Sequence, residues 1–364
     1  MRVAVLWIEL TGYLNSCLRE LASRPGIDLF VAHTPPCIDN PFDREQFAWI
    51  AQQLVWRGPA DLEPLDARLD DFQPEILVLS GWTVPAYRKV ARRWRSRTVR
   101  IMAMDNCWFG TVKQWIGVLS APFFVHRLAD AIWVPGERQS QFASKLQFRQ
   151  SAILHGLYSG DSSAFAATYE ARVHQKQPVK RVFVFVGRMV EVKGIPTLIA
   201  AYRLYRSRTQ NPWPLVCYGQ GPLASMLRAE QGIVVEGFVQ PEDLPVKLAN
   251  AACLVLPSSF EPWAVVINEA TAAGMLVLAS GVVGAVPHLV QNNYNGFIFD
   301  VGDADGLAWL MNRVSRMDDQ KLNLMAAASS LLAKQFTPAR WADTLLNFME
   351  TNAENCRPIA RIAG

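Results

Sequence analysis

The feature that most constrains this chain is a rhythm. A short apolar run, a loop and a helical pattern are followed by another short apolar run, and the cycle repeats along most of the sequence. VAVLWI (residues 3–8) opens it, and Leu14, Cys17, Leu18 and Leu21 follow at the i, i+3, i+4, i+7 spacing of one helix face. IDLFVA, EILVLSG, VRIMAM, AIWVPG and SAILHG continue it. Strands apolar throughout are covered on both faces, and helical crossovers between them make the sheet parallel. Residues 168–181 then turn polar, TYEARVHQKQPVKR, before the rhythm restarts with VFVFVG, PLVCYG, IVVEG, ACLVLP and MLVLAS. The pattern predicts an α/β protein of two Rossmann-like, doubly wound parallel-sheet domains over residues 1–172 and 173–337. They are expected to face a central cleft at the carboxyl ends of their strands. A last helical pattern around Trp341 fills residues 338–354, and the tail from Cys356 is expected to be loosely held.

Bulk properties narrow the class. Hydrophobic residues make up 51% of the 364 and charged residues 19%, as in soluble proteins with large cores. A net charge of +4 is too modest for a nucleic-acid binder. Cys17, Cys37, Cys107, Cys217, Cys253 and Cys356 are scattered without CxxC or zinc spacing and read as free thiols in a reducing compartment. MRVAVLWIEL reads as a first strand and not a signal peptide. Residues 270–290 carry no charge, but Gly274, Gly281, Gly284 and Pro287 punctuate them as a buried strand between loops. A cytoplasmic location is therefore expected.

Three segments carry chemistry. In VFVFVGRMVEVKGIPTLIAAYRLY a strand ends at Gly187, Arg188 follows, and Lys193–Gly194 precede a helix with Pro196 in its first turn. Two cations beside a helix N-terminus suit a diphosphate, although surface cations in a loop are commonly just solvated. In SSFEPWAVVINEA, Glu261 follows a strand and Glu269 lies eight residues on, inside a helix expected to open at Pro262 or Trp263. Carboxylates accept hydrogen bonds from sugar or ribose hydroxyls; the helix dipole alone would account for Glu261 but not for Glu269. The glycine-rich YGQGPL and the following VVEGFVQPEDL are weak signals taken singly, since any tight turn after a strand favours glycine.

Taken in order, GR-x4-KG, GxGP, EGFV, E-x7-E and AAG-x-x-V resemble the donor domain of the retaining family 4 glycosyltransferases (glycosyl transferases group 1), which have the GT-B fold. The likeness spans roughly residues 182–299, and the N-terminal half resembles the family only in outline. It implies a hexosyltransferase that moves a sugar from a nucleotide-diphosphate donor to a hydroxyl acceptor, in surface-glycan, polysaccharide or glycolipid assembly. Retention of configuration, no metal and no cofactor are implied with it. Arg188 and Lys193 would bind the diphosphate, Glu261 would lie by the transferred sugar, and Glu269 would hold the ribose hydroxyls. Main chain around Phe238 and Val239 would meet the base. Gly187, Trp263, Ala264 and Val265 would complete the donor pocket, with Gly12 approaching the diphosphate from the other domain. The last helix would cross back onto the N-terminal domain. A donor phosphate oxygen would help deprotonate the acceptor, with a covalent role for Glu261 as the second route.

Two departures stand out. The family's glycine in E-P-(F/W)-G is Ala264 here, which matters only if that residue needs a positive φ. Where many members carry histidine, this chain reads MDNCWFG, so Asp105, Asn106 or Trp108 would contact the sugar or acceptor instead. A GT-B epimerase or phosphorylase, or a degenerate binding protein of the same fold, are the alternatives. Asp303-Ala304-Asp305 has the form of a metal-binding DxD but more simply starts a helix, so no metal site is expected. The five histidines show no ligand spacing, and the tryptophans read mainly as core. The run Arg88, Lys89, Arg92, Arg93, Arg95, Arg97, Arg100, with no acid between Glu75 and Asp105, reads first as a solvated helix face. A second reading is attraction to an anionic membrane carrying a lipid-linked acceptor.

Overall fold

The computed structural model describes residues 1–35, 45–58, 62–249 and 251–352; Cys37, Cys356 and the tail lie outside them. The chain divides into two units, Met1–Ser159 with Pro338–Gly364, and Gly160–Thr337.

In the first unit the strands are β1 (Arg2–Glu9), β2 (Asp28–Thr34), β3 (Gln52–Val55), β4 (Ile76–Leu79), β5 (Val99–Ala103), β6 (Ala131–Trp133) and β7 (Ile153–Leu154). They pair in parallel in the order β3-β2-β1-β4-β5-β6-β7. The helices between them are α1 (Gly12–Ser23), α2 (Leu62–Phe72), α3 (Pro85–Arg93), α4 (Val112–Ser120) and α5 (Glu137–Lys145). The central strands β1, β4 and β5 are sandwiched between two apolar clusters, one on each sheet face, as continuous apolar runs demand. Leu14, Cys17, Leu18 and Leu21 form the buried face of α1.

The second unit begins with α6 (Ser162–His174), then β8 (Lys180–Val186), α7 (Ile195–Ser207), β9 (Leu215–Tyr218), α8 (Ala224–Arg228), β10 (Ile233–Gly237) and α9 (Leu244–Leu248). β11 (Ala251–Leu256), α10 (Val265–Ala272), β12 (Leu276–Ser280), α11 (Val286–Leu289), β13 (Gly296–Phe299), α12 (Ala304–Ser315) and α13 (Asp319–Ala333) complete it. Its parallel sheet has the order β10-β9-β8-β11-β12-β13. The last helix, α14 (Pro338–Asn352), belongs to the first unit. There Trp341 stacks on Trp133 with centroids 4.6 Å apart, and its indole N–H donates to Leu157 O at 3.0 Å.

Three differences from the expected pattern have physical causes. The polar stretch 168–181 is not a junction: its first half is the end of α6 and the rest leads into β8, all inside the second unit, with Phe165 buried, Tyr169 packed against Gly274 and the buried Arg172 bonded to Asn323. The solvent face of that helix supplies the polar text, and the division falls at Ser159/Gly160 instead. Strands β3 and β13 lack an apolar run of predictive length. They are edge strands, β3 reading QQLV and β13 only GFIF.

Candidate active site

In a doubly wound sheet, adjacent strands whose connections run to opposite sides leave a crevice at their carboxyl ends. In the second unit those strands are β8 and β11. The sequence puts Arg188 and Lys193 after β8 and Glu261 after β11, so topology alone brings them together.

Main-chain bonds fix the loops that carry them. Gly187 N–H donates to Tyr218 O (3.0 Å), and Met189 N–H to Gln220 O (2.8 Å), tying the β8 loop to the β9 loop. Ser259 N–H donates to Val192 O (2.9 Å), tying it to the β11 loop. Gly284 N–H donates to Glu261 O (3.0 Å), and Ala285 N–H to Trp263 O (2.9 Å), which adds the loop after β12. Glycine is obligatory at several of these positions; on Gly221, φ +151°, a Cβ would stand 2.6 Å from Met189 O. Gly194 has φ +72°, and a Cβ there would stand 2.0 Å from Pro257 O. A Cβ on Gly219, φ +135°, would stand 2.0 Å from Gly187 O. GQG is therefore a packing requirement of this rim.

On the rim, Lys193 Nζ donates to Glu261 Oε2 in an ion pair that is mostly buried. Arg188 is exposed and has no ion pair or side-chain hydrogen bond among the described residues. Helix α7 opens with Gly194 as N-cap and Pro196 in its first turn, without a side-chain cap; α10 opens from Ala264, also without one. Both therefore keep amide donors free for an anion. Glu269 lies on α10, partly buried, against Gly160, whose position leaves 3.4 Å between a Cβ and Glu269 Cγ. Its carboxylate has no hydrogen-bond or ion-pair partner among the described residues. Burial, with Asp161 nearby, raises its carboxyl to about 7.

Helix α10 starts at Val265, later than Pro262 or Trp263, and its N-cap Ala264 holds φ +81°. The departure from glycine thus falls at a residue that adopts the conformation glycine favours. Trp263 does not present its ring to a ligand: it is 1% exposed, packs against Phe336 and donates its N–H to Asn268 Oδ1 at 2.9 Å. Phe238 and Val239 follow β10, where Gly237 O accepts from Gly219 N–H. Asp303 caps α12 by accepting from Gly306 N–H (2.8 Å), and Asp305 pairs with Arg208 (2.9 Å), so both act in helix structure. Among the described residues no group of three His, Cys, Asp or Glu could hold a metal ion.

The remaining candidates lie in the first unit. Gly12 heads α1. Asp105 follows β5 and accepts from Tyr158 Oη at 3.0 Å, with Asn106 exposed beside it. Trp108 is packed edge-on against Trp115 and tilted on Phe142. Asp161 was not singled out from the sequence. It reads there only as the cap of α6, and its nearness to Glu269 is tertiary.

Two doubly wound parallel-sheet units with a cation-and-carboxylate rim at one switch point define a GT-B type protein. HepE of Anabaena, solved in complex with UDP, has this fold at TM-score 0.73 and 17% identity, over 96% of this chain and 100% of that one. Sucrose-phosphate synthase of Thermosynechococcus elongatus matches at TM-score 0.73 and 17% identity, over 98% and 100%. Residues 168–330, most of the second unit, match the family described as Glycosyl transferases group 1. An uncharacterized glycosyltransferase of Methanocaldococcus jannaschii is 31% identical over 145 residues, 38% of this chain and 36% of its own length. The O-antigen chain mannosyltransferase B of Escherichia coli is 30% identical over 162 residues, 42% of each chain. The chain thus spans well under half the length of these curated relatives, and the aligned part is about the size of the second unit.

Proposed function

We propose that the protein transfers a hexose from a nucleotide-diphosphate sugar to a hydroxyl acceptor, with retention of configuration and without a metal. The observation that carries this is the rim between β8 and β11: a free Arg188, the Lys193–Glu261 pair, two uncapped helix starts and a partnerless Glu269. Cleaving the anomeric C–O bond builds negative charge on the diphosphate, and Arg188, Lys193 and the open amides would take it up. In this reading Lys193 leaves part of its bond with Glu261 to the incoming phosphate, and Glu261 is freed to face the positive sugar. Glu269, with two acceptor oxygens and no partner, would take the ribose hydroxyls. The donor's own phosphate oxygen would receive the acceptor's proton, so the enzyme needs no separate base. The family match over residues 168–330 and the mannosyltransferase among the relatives support this reading, in which the acceptor would be a glycan or a glycan carrier.

The test is thermal stabilisation by a panel of nucleoside diphosphates and their sugars, in EDTA, for wild type and Arg188→Ala. A ligand that binds only the folded state raises its apparent stability by mass action. A shift for one nucleotide, lost in the variant, is expected. No shift with any of them, with or without added Mg²⁺, would overturn the proposal in favour of a binding protein that has kept the fold alone.

A further inference from the structure

Helix α4 is at odds with the other helices of its unit. Those set apolar side chains into a core, whereas none of the α4 residues is buried. Val112 is 77% exposed and Leu119 74%, and Phe109, Trp115, Ile116 and Phe123 are all more than half exposed. Positions 112, 115, 116, 119 and 123 share one stripe of a helix and its continuation. The segment is firmly held. Thr111 and Gln114 form a capping box, Gln114 Nε2 donates to Cys107 O at 2.7 Å, and Trp115 meets Trp108 edge-on at 5.2 Å. A contiguous apolar face on this scale marks an interaction surface.

Its surroundings identify the partner. Residues 76–129 hold nine Lys and Arg and a single acid, Asp105. Three of the nine are neutralised: Arg93 by Asp66 and Asp70, Arg97 by Asp70, and Arg100, 1% exposed, by Asp130. Arg88, Lys89, Arg92, Arg95, Lys113 and Arg127 have no ion pair among the described residues. Three cations border the apolar stripe. Arg88 lies over the ring of Phe124 at 5.9 Å, Lys145 over Trp108 and Trp115 at 4.8 and 5.6 Å, and Lys113 is on α4 itself. Aliphatic and aromatic side chains projecting from a helix, ringed by Lys and Arg on flexible stems, match a bilayer surface: acyl chains take the first and headgroup phosphates the second. We propose that α4 and the exposed cations of α3 form a docking face for an anionic lipid membrane. This does not depend on the transferase reading, since docking needs no nucleotide.

The experiment is flotation of the full chain with vesicles of equal parts phosphatidylglycerol and phosphatidylcholine, and with phosphatidylcholine alone. Wild type is expected on the anionic vesicles at low salt and to be released as salt rises. Ile116→Ser with Leu119→Ser should lower partitioning at least tenfold, in line with loss of two buried aliphatic side chains. Lys113→Glu and Arg92→Glu should each lower it about fivefold or more. All these positions are exposed, and unchanged thermal unfolding verifies folding. No flotation of wild type at low salt would overturn the proposal, as would flotation that the Ile116/Leu119 variant leaves intact. A wild-type dimer that this variant dissolves, without vesicle binding, would instead make the face a contact between copies and equally overturn it.

Discussion

The two units share one winding around their switch points, β3-β2-β1-β4 in the first and β10-β9-β8-β11 in the second, and place charge there quite differently. After β8 and β11 come Arg188, Lys193 and Glu261. After β1 and β4 come Leu10, Thr11, Ser80, Gly81 and Trp82, with no cation in either loop. The first unit carries unpaired cations on α3 and α4, Arg88, Lys89, Arg92 and Lys113 among them, beside an apolar surface. A doubly wound sheet therefore supplies a location, and the residues just past two strands decide what charge that location offers.

The sharpest way to break this comparison is to remove the charge at the second switch point. Arg188→Ala is expected to lower kcat/KM by about 10²–10³, the usual cost of one donor to developing transition-state charge. The melting temperature should not move, because Arg188 has no protein partner to strand. Lys193→Ala should lose a similar factor and also destabilise the protein, since Glu261 is left mostly buried and uncompensated. Arg149→Ala, an exposed arginine of the first unit, is the matched control and should leave turnover within a few-fold. Activity of Arg188→Ala close to wild type would remove it from the site.

A smaller effect sharpens the comparison at Glu269. Its carboxyl titrates near 7 in the free protein because of burial and Asp161. Hydroxyls that donate to it favour the charged form, so donor binding should release a proton and tighten as pH rises through about 7. Calorimetry of a nucleotide sugar in buffers of different ionisation enthalpy measures that proton. The same raised pKa has the opposite sign for folding. Between the ordinary carboxylate range and about 7 the native state holds the proton longer than the unfolded state, so the ligand-free protein loses stability as pH rises through that window. Glu269→Gln should weaken donor binding by about tenfold, the worth of one charged hydrogen bond, and should flatten both pH dependences. Unchanged proton release in Glu269→Gln would assign the effect to another group.

How much of this was readable from the residues follows from where each signal resides. The inner strands are apolar throughout and were legible, as were the edges β7 and β10; QQLV is half polar and GFIF only four residues long, so neither stood out. Arg188, Lys193 and Glu261 were legible because a parallel sheet delivers the residue after each strand to one end. The solitude of Glu269 was not, since Asp161 and Gly160 reach it only through the packing of α6 near α10. The polar face of α6 imitated a linker for the same reason. Periodicity shows which residues share a face but not what covers it, so the exposure of Ile116 and Leu119 leaves no signal in the sequence.

Ala264 gives the smallest effect and separates sequence pattern from backbone cost. Its φ of +81° and ψ of +81° lie where a Cβ is strained, at the N-cap of α10 beside Glu261. A left-handed conformation costs a non-glycine residue roughly 1–2 kcal/mol, and glycine returns about 0.5–1 kcal/mol of that through its looser unfolded chain. Ala264→Gly should therefore stabilise the protein by about 0.5–1 kcal/mol, read as a small rise in melting temperature, with turnover unchanged or higher. The methyl is itself largely buried, and its contacts pull the other way. A fall in melting temperature would mean that those contacts outweigh the strain, and that the alanine is held in place by packing that the second unit has built around it.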